Sequence, residues 1–401
     1  MRSVFPPAPL RCVAKLLAVV VIISTTFARP AYSQGTQAPA TDAAPSQPPW
    51  YQQVAFNAFL SASWSYNVNN PASRTNQFRV FDVDDASVRL DVVELVFQKT
   101  ATKANEIGFR VDLTAGASIP RMTASAGLFR DEDGVAGDFD IHQVYATYVA
   151  PVGRGLKLDV GKFITPVGYE VIEGYDGYND TVSRSFLFGY AIPYTHTGVR
   201  MSYTFSDRIS ALVFLANGWD NAVDNNRGKT AGAQLTLTPD ARTTLTAGYL
   251  VGPEQADNTS NLRQLLDLTV SVKPVPCLTL GGNLDFGREA GVTLPESATG
   301  RAGVVQDVTW RGVAGYVRVA PSPRTALALR AEWMDDPEGA RTGVAQALRE
   351  ITFTPEFRPI DHFVLRAELR HDWSTGYVFE TSGSDLKRTQ TTVGLNAMFI
   401  F

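Results

Sequence analysis

Along most of this chain apolar and polar residues alternate one by one. At its end Val393, Leu395, Ala397, Phe399 and Phe401 share a parity with Thr391, while Gln390, Thr392, Gly394 and Asn396 share the other. A period of two predicts a strand with one apolar and one polar face. The pattern recurs from Val54 to Tyr66, where Phe56, Ala58, Leu60, Ala62 and Trp64 oppose Asn57, Ser61, Ser63 and Ser65. Ile107, Phe109, Val111 and Leu113 alternate with Gly108, Arg110 and Asp112. Leu266, Leu268, Val270 and Val272 alternate with Asp267, Thr269 and Ser271, and Leu278, Leu280, Leu284 and Phe286 with Thr279, Asn283 and Asp285. Leu327, Leu329, Ala331 and Trp333 oppose Arg330 and Glu332, and Phe363, Leu365, Ala367 and Leu369 oppose Arg366, Glu368 and Arg370.

Short connections are expected at 99–105, 151–155, 206–208, 239–242, 273–276, 320–324 and 358–361, and longer polar loops at 67–86, 117–138, 164–192, 218–227, 252–262, 289–306, 336–345 and 374–387. Their alternation predicts an all-β, transmembrane antiparallel β-barrel of about sixteen strands, with fourteen or eighteen also compatible with the pattern. Charges on one face and apolar groups on the other suit a wall between lipid and water, and an open sheet edge is not tolerated in lipid. A barrel of this size encloses an aqueous channel. The alternative for any one strand is the edge of a soluble sandwich. Near Val92–Val93 the apolar parity shifts, as a β-bulge would cause.

The ends refine this picture. Arg2, Arg11 and Lys15 precede an apolar run, Leu16 to Ile23, and a small-residue site, Ala31-Tyr32-Ser33. The expectation is a signal peptide over 1–33, since the run is too short for a membrane helix, which needs about 20 apolar residues. Residues 34–49, rich in Ala, Pro, Gln and Thr, read as a flexible leader, and the barrel domain as 50–401. The chain carries a formal charge of −4, and 1–33 holds four basic residues and no acid. An acidic remainder argues against nucleic acid as a partner. Cys277 is the only cysteine outside the signal, so no internal disulfide is expected there.

The segment from Asp159 to Asp240 carries VGKFITPVGYEVIEG at 160–174, SRSFLFGYAIPYTHTGVRMSY at 183–203 and ANGWDNAVDNNRGKTAGAQLTLTPD at 216–240. In order, these resemble the putative β-barrel porins of the OmpL-like type, and a similar organisation extends over most of the chain. The resemblance implies a channel in the outer membrane of a Gram-negative bacterium, open to small hydrophilic solutes or ions. It implies contact with outer-membrane lipid and lipopolysaccharide, and recognition by the barrel-assembly machinery through the final strand ending at Phe401. A homotrimer is a further expectation. No cofactor is implied.

In general porins of similar architecture the third long loop folds inward and narrows the pore. By that analogy Glu170, Glu173, Asp176 and Asp180 on 164–192 face basic wall residues, with Arg184 as a member of the constriction or an anchor of the loop. The wall candidates are Arg110, Lys157, Arg200, Arg330, Arg366 and Arg370. Opposed rows of acid and base filter solutes by charge and size. His196 is expected to make a local hydrogen bond. The run 131–140 gathers Asp131, Glu132, Asp133, Asp138 and Asp140, a weak calcium candidate against the reading of a solvated loop, because its spacing is not that of an EF-hand. Trp50, Tyr51, Trp64, Tyr66, Tyr145, Tyr148, Tyr203, Tyr249, Trp333, Phe399 and Phe401 are candidates for an interfacial aromatic belt. Phe59 and Phe214 lie on polar faces.

Three other functions fit the sequence less well. A barrel enzyme needs a nucleophile beside a base, and no serine motif accompanies His142, His196, His362 or His371. The loops are modest for a receptor or adhesin. A plug-bearing transporter needs a domain larger than 34–49.

Overall fold

The computed structural model describes residues 49–122, 127–131, 133 and 135–401. The expected signal peptide, all of the expected leader but residue 49, and Glu132 lie outside the described residues. Before Val54 the described chain forms one 3-10 turn, Trp50–Gln53.

From there the chain is almost entirely strand. The order is β1 (Ala55–Asn67), β2 (Ser87–Lys99), β3 (Ile107–Ala115), β4 (Phe139–Ala150), β5 (Leu156–Ile164), β6 (Thr195–Ser206), β7 (Ile209–Ala216) and β8 (Thr230–Asp240). Then come β9 (Thr243–Pro253), β10 (Leu262–Val275), β11 (Leu278–Thr293), β12 (Val305–Ser322), β13 (Thr325–Asp336), β14 (Gln346–Ile360) and β15 (Phe363–Ser374). A small hairpin, β16 (Phe379–Glu380) and β17 (Leu386–Lys387), precedes β18 (Thr389–Ile400). Every neighbour in the main sheet is antiparallel, and β18 pairs with both β15 and β1, so the sheet closes as a sixteen-stranded barrel with no free edge. Long and short connections alternate as expected.

The two faces invert the arrangement of a soluble protein. Leu268, Leu284, Leu329 and Leu365 stand outward and exposed, while Arg330, Thr352, Thr354, Arg370 and Asp372 point inward and are fully buried. Such a wall is stable only where its outer face meets lipid. Met398, Asn396, Thr392 and Gln390 of β18 line the inside, and Val393, Leu395 and Phe399 the outside.

Bulges interrupt the pairing at several places among the described residues, and two of them, in β2 and β4, bear on the inner wall. In β2, Ser61 pairs with Val92 and Ala62 with Leu90, leaving Asp91 as the extra residue. That accounts for the parity shift near Val92. In β4, Asp112 pairs with Gln143 and Leu113 with Ile141, leaving His142 as the extra residue. A bulge turns consecutive side chains to one face. Here His142 and Gln143 both point inward and are buried.

The interior is filled mainly by two long loops. L1 (68–86) packs Phe81 against Phe188 and Tyr194 of L3 (165–194), with ring centroids 5.9 and 6.1 Å apart. L3 holds a π-helical turn, Leu187–Ala191, with Leu187, Phe188 and Ala191 buried. Around it Trp310, Met334 and Leu348 form an apolar cluster inside the barrel near its long-loop end. Trp310 donates its Nε1–H to the Ala191 carbonyl at 3.0 Å.

Candidate functional site

L3 leaves β5, descends inside the barrel and returns to β6. Its path is set by polar groups on the inner wall. The Gln234 amide donates to the Pro166 carbonyl. Tyr169 stacks on Tyr316 at 4.2 Å and lies over Gly281, where a Cβ would fall 2.1 Å from its hydroxyl. A glycine is needed there for the ring to reach the wall.

Next, three wall groups seize the loop backbone. Glu368 accepts the amides of Val182 and Ser183 at 2.6 and 3.0 Å. Glu332 accepts those of Phe186 and Leu187 at 2.6 and 3.1 Å. Arg366 donates to the carbonyls of Asn179 and Thr181, at 2.6 and 3.1 Å. These contacts satisfy backbone groups that would otherwise be stranded away from water.

The loop carboxylates divide into two sets. Glu170 binds Arg330 at 2.7 Å, and Arg330 also holds Glu350 at 2.7 Å. The side chains of Arg330 and Glu350 are fully excluded from solvent and that of Glu170 is 2% exposed. Glu173 binds Arg366 at 3.0 Å and Arg184 at 3.1 Å, with a side chain 9% exposed. Burial on its own would raise its pKa, but the guanidinia of Arg184 and Arg366 outweigh this and hold it below the ordinary value. Asp176 pairs with Arg110 at 2.7 Å and is 52% exposed; Asp180 pairs with Arg318 at 2.7 Å and is 35% exposed. Burial raises the Asp180 pKa even so.

The four loop carboxylates, expected to face basic wall residues, stand in direct contact with arginines. Glu170 and Glu173 touch their arginines and are shut away from solvent. A carboxylate loses too much hydration to be buried unless it is paired or hydrogen-bonded. Arg184 does not reach the wall through its own side chain: it pairs with Glu173, lies over Phe81 at 5.4 Å, and offers its carbonyl to Arg370. Arg370 also binds Asp372 at 2.6 Å.

The tip of L3 reaches the short-turn end of the barrel. Tyr178 accepts from Arg358, near the end of β14, and donates to Glu356 at 3.3 Å. Burial, then the Glu356 carboxylate, push the Tyr178 pKa up to about 12. Arg318 lies near the end of β12 and Arg110 near the start of β3. The tip thus touches walls far apart on the ring, β3 on one side and β12 to β15 on the other. A cavity of about 190 Å³ between Tyr169, Tyr178, Asp180 and Tyr316 lies beside it.

The remaining wall candidates sit apart from L3. Arg200 and Lys157 share Asp159, at 2.8 and 3.5 Å, and both lie over the Tyr145 ring. Tyr145 consequently stands in the lumen rather than in an outer belt, whereas Tyr148, Tyr249 and Phe399 are exposed outside. Phe59 and Phe214 face inward and are buried. His196 makes the expected local bonds, Nδ1 with the Gly218 carbonyl at 3.0 Å and Nε2 with Thr165 at 3.2 Å.

The calcium candidates do not converge. Asp131 accepts the amides of Asp133 and Val135 at 3.0 and 2.7 Å, Asp133 and Asp138 are exposed, and Asp140 is buried against Lys162 at 2.7 Å.

Sequence reasoning missed the inner-wall carboxylates Glu332, Glu356 and Glu368 as partners of the loop, and Glu350 as the wall partner of Arg330. It also missed Arg79 of L1, which holds Asp372 at 2.7 Å and also binds Asp82. A signal was present: Phe78, Val80, Phe81 and Val83 are unusually apolar for a solvated loop.

Comparisons with known proteins agree with this architecture. A family model described as putative beta-barrel porin-2, OmpL-like, matches residues 53–401. The outer-membrane channel DcaP of Acinetobacter baumannii is 12% identical, with a TM-score of 0.56 over 87% of this chain and 97% of its own. An anion-selective porin from Comamonas acidovorans is 11% identical, with a TM-score of 0.56 over 87% and 99%. OmpT of Vibrio cholerae, in a trimer form, is 13% identical, with a TM-score of 0.54 over the same shares. At these identities the structures speak to the fold alone. No curated protein sequence matches the chain.

Proposed function

Since this chain belongs to the putative beta-barrel porin-2, OmpL-like family and forms an outer-membrane channel for passive diffusion, we propose that L3 is its constriction and that the exposed loop tip is its charge filter. The observation that carries this is the tip's double contact, with Arg110 of β3 on one side and Arg318 of β12 on the other. A solute passing the short-turn end meets Asp176 and Asp180 together with Arg318, Lys157 and Arg358, whose side chains reach solvent. Fixed charges in a narrow, low-dielectric passage act on permeating ions much more strongly than on a flat surface. Glu170 and Glu173 hold the loop in place and lie behind it.

The reading extends to partners. A signal peptide over 1–33 routes the chain to export, and β18 with Phe401 just after it serves the assembly machinery. Lipopolysaccharide contacts the long-loop side, and three copies associate through their outer faces. Planar-bilayer recording tests the filter. Deleting 175–180 raises single-channel conductance, and an unchanged conductance in a folded deletion variant refutes L3 as the constriction.

A further inference from the structure

Inside the wall formed by β2, β3 and β4 lies a group of side chains that the constriction does not use. Glu94, Asp112 and His142 each bring a potential ligand atom to within 4.8 Å of the others, and all three are buried. It is the only such cluster among the described residues. The β4 bulge makes it: His142 is the extra residue opposite Asp112 and Leu113, so its ring turns into the barrel beside Gln143.

The hydrogen bonding there is unfinished in one direction. His142 is 4% exposed and its Nε2 has no partner. Its Nδ1 faces Glu94 Oε1 at 3.9 Å, too far for a hydrogen bond. Glu94 Oε2 accepts the Tyr175 amide at 2.7 Å, and Oε1 is the oxygen turned toward His142. Asp112 is held by Arg110 Nε at 2.8 and 3.0 Å and by Gln143 at 2.7 Å. A carboxylate oxygen with one or two such bonds keeps lone-pair capacity. Arg110 already serves two carboxylates, those of Asp112 and Asp176, and Glu94 adds a third beside His142, so the group carries excess negative charge.

We propose that Glu94, Asp112 and His142 bind one divalent transition-metal cation, with Zn²⁺ as the matching probe. One imidazole and two carboxylates are a common ligand set for zinc, with bonds of about 2.0–2.2 Å, which places donor atoms about 3.4 Å apart in a tetrahedral shell. Side-chain rotations smaller than about 1 Å bring the present spacing to that value. Arg110 and Gln143 fix the Asp112 carboxylate, as supporting groups fix metal ligands elsewhere. The fourth position is left to water from the lumen. The site is joined to L3: Glu94 Oε2 holds the Tyr175 amide, and a Cβ on Gly174 would fall 2.4 Å from that oxygen. A bound cation draws the Glu94 carboxylate toward the wall and stiffens the loop just before its tip.

The test uses the full barrel in detergent, free of any polyhistidine tag, stripped with EDTA and titrated with ZnCl₂ by calorimetry. We expect one saturable site per chain, and an X-ray absorption spectrum with only N and O ligands and a single imidazole. His142→Gln and Glu94→Gln weaken binding by about 100-fold or more, at least as much as loss of a supporting group. His362→Gln, on an exposed turn, leaves it unchanged. If His142→Gln fails to refold, the spectrum of the wild-type complex and the Glu94→Gln titration decide instead. Absence of saturable binding to the wild-type chain overturns the proposal, as does full affinity in either ligand variant. Calorimetry reads none of the channel's conductance, so its outcome is independent of whether L3 filters ions.

Discussion

Glu170 and Asp180 lie ten positions apart on one loop, each a carboxylate paired with an arginine at 2.7 Å, yet their surroundings differ. Glu170 is enclosed with Arg330, Glu350, Thr181 and Ser183, and its side chain is 2% exposed. Asp180 keeps 35% of its side-chain surface and borders a cavity. A buried pair contributes a fixed geometry, because its charges are unavailable to solvent and costly to separate. A half-exposed pair contributes little to stability, but its field extends into the water beside it. The loop therefore has a structural base and an electrostatic tip, and residue type alone does not distinguish them.

Breaking the base has the largest expected effect. Glu170→Ala leaves Arg330 buried beside one fewer carboxylate, and loss of one partner of a buried pair costs about 3–5 kcal/mol. We expect L3 to detach from β13, with lower thermal stability and a larger, noisier single-channel conductance. Glu170→Ala channels with wild-type stability and noise would remove the distinction between base and tip. The barrel itself supplies a control of similar size. Leu365→Arg or Leu268→Arg places a charge on the lipid face, at a cost of about 2–4 kcal/mol. These variants should fold poorly into lipid vesicles, as judged by heat-modifiable mobility. Arg366→Leu should insert normally and disturb only the loop, since Arg366 binds Glu173 and the carbonyls of Asn179 and Thr181. Equal insertion defects in both classes would reverse the assigned faces.

Much of this was legible in the sequence. A period-two pattern depends only on local order, so Leu365 and Arg366, or Leu268 and Asp267, are assigned to opposite faces from neighbours alone. The alternation of turns and loops likewise yields the closed sixteen-stranded sheet. The division within L3 was not legible. Whether Glu170 is buried depends on Arg330, which lies 160 positions away and is brought there by barrel closure. The inward position of His142 was hidden for a related reason. An extra residue in β4 shows only through its pairing with β3, while Asp91 was betrayed by a shift in apolar parity. Arg79 was hidden because a loop carries no periodic signal.

Neutralising the tip is a smaller perturbation and sharpens the comparison. Asp176→Asn with Asp180→Asn keeps size and shape, so stability should change by less than about 1 kcal/mol, the range of exposed pairs. The reversal potential in a salt gradient should move toward anion selectivity, because Arg110 and Arg318 each lose one of two counter-charges and keep only Asp112 and Glu356. Glu170→Gln and Glu173→Gln, if they fold, should move it less. A larger shift from the base pair than from the tip pair would place the filter on the buried groups.

Glu173 and one further carboxylate, Asp220, give pH dependences of opposite sign, the smallest effect expected here. Glu173 at the base has its pKa lowered: burial opposes this, but Arg184 and Arg366 prevail. Its contribution to stability is complete above the ordinary value of 4.5 and is lost as pH falls through the lower folded value. Asp220 accepts the amides of Tyr194 and Thr195, at 2.6 and 2.8 Å, where L3 rejoins β6. Burial raises its pKa from 3.8 to about 6, against the two amide bonds. Between those values the folded chain holds a proton that the unfolded chain has released, so stability falls as pH rises through that window. Asp220→Asn retains an oxygen for both amides and cannot ionise. It should flatten the thermal midpoint between pH 4 and 6 while leaving the acid limb below pH 4.5 intact. Glu173→Gln should do the reverse, flattening only the acid limb. If Asp220→Asn leaves the profile between pH 4 and 6 unchanged, the far end of L3 is wetter than its packing against β6 indicates, and the loop is enclosed along its base but not where it rejoins the wall.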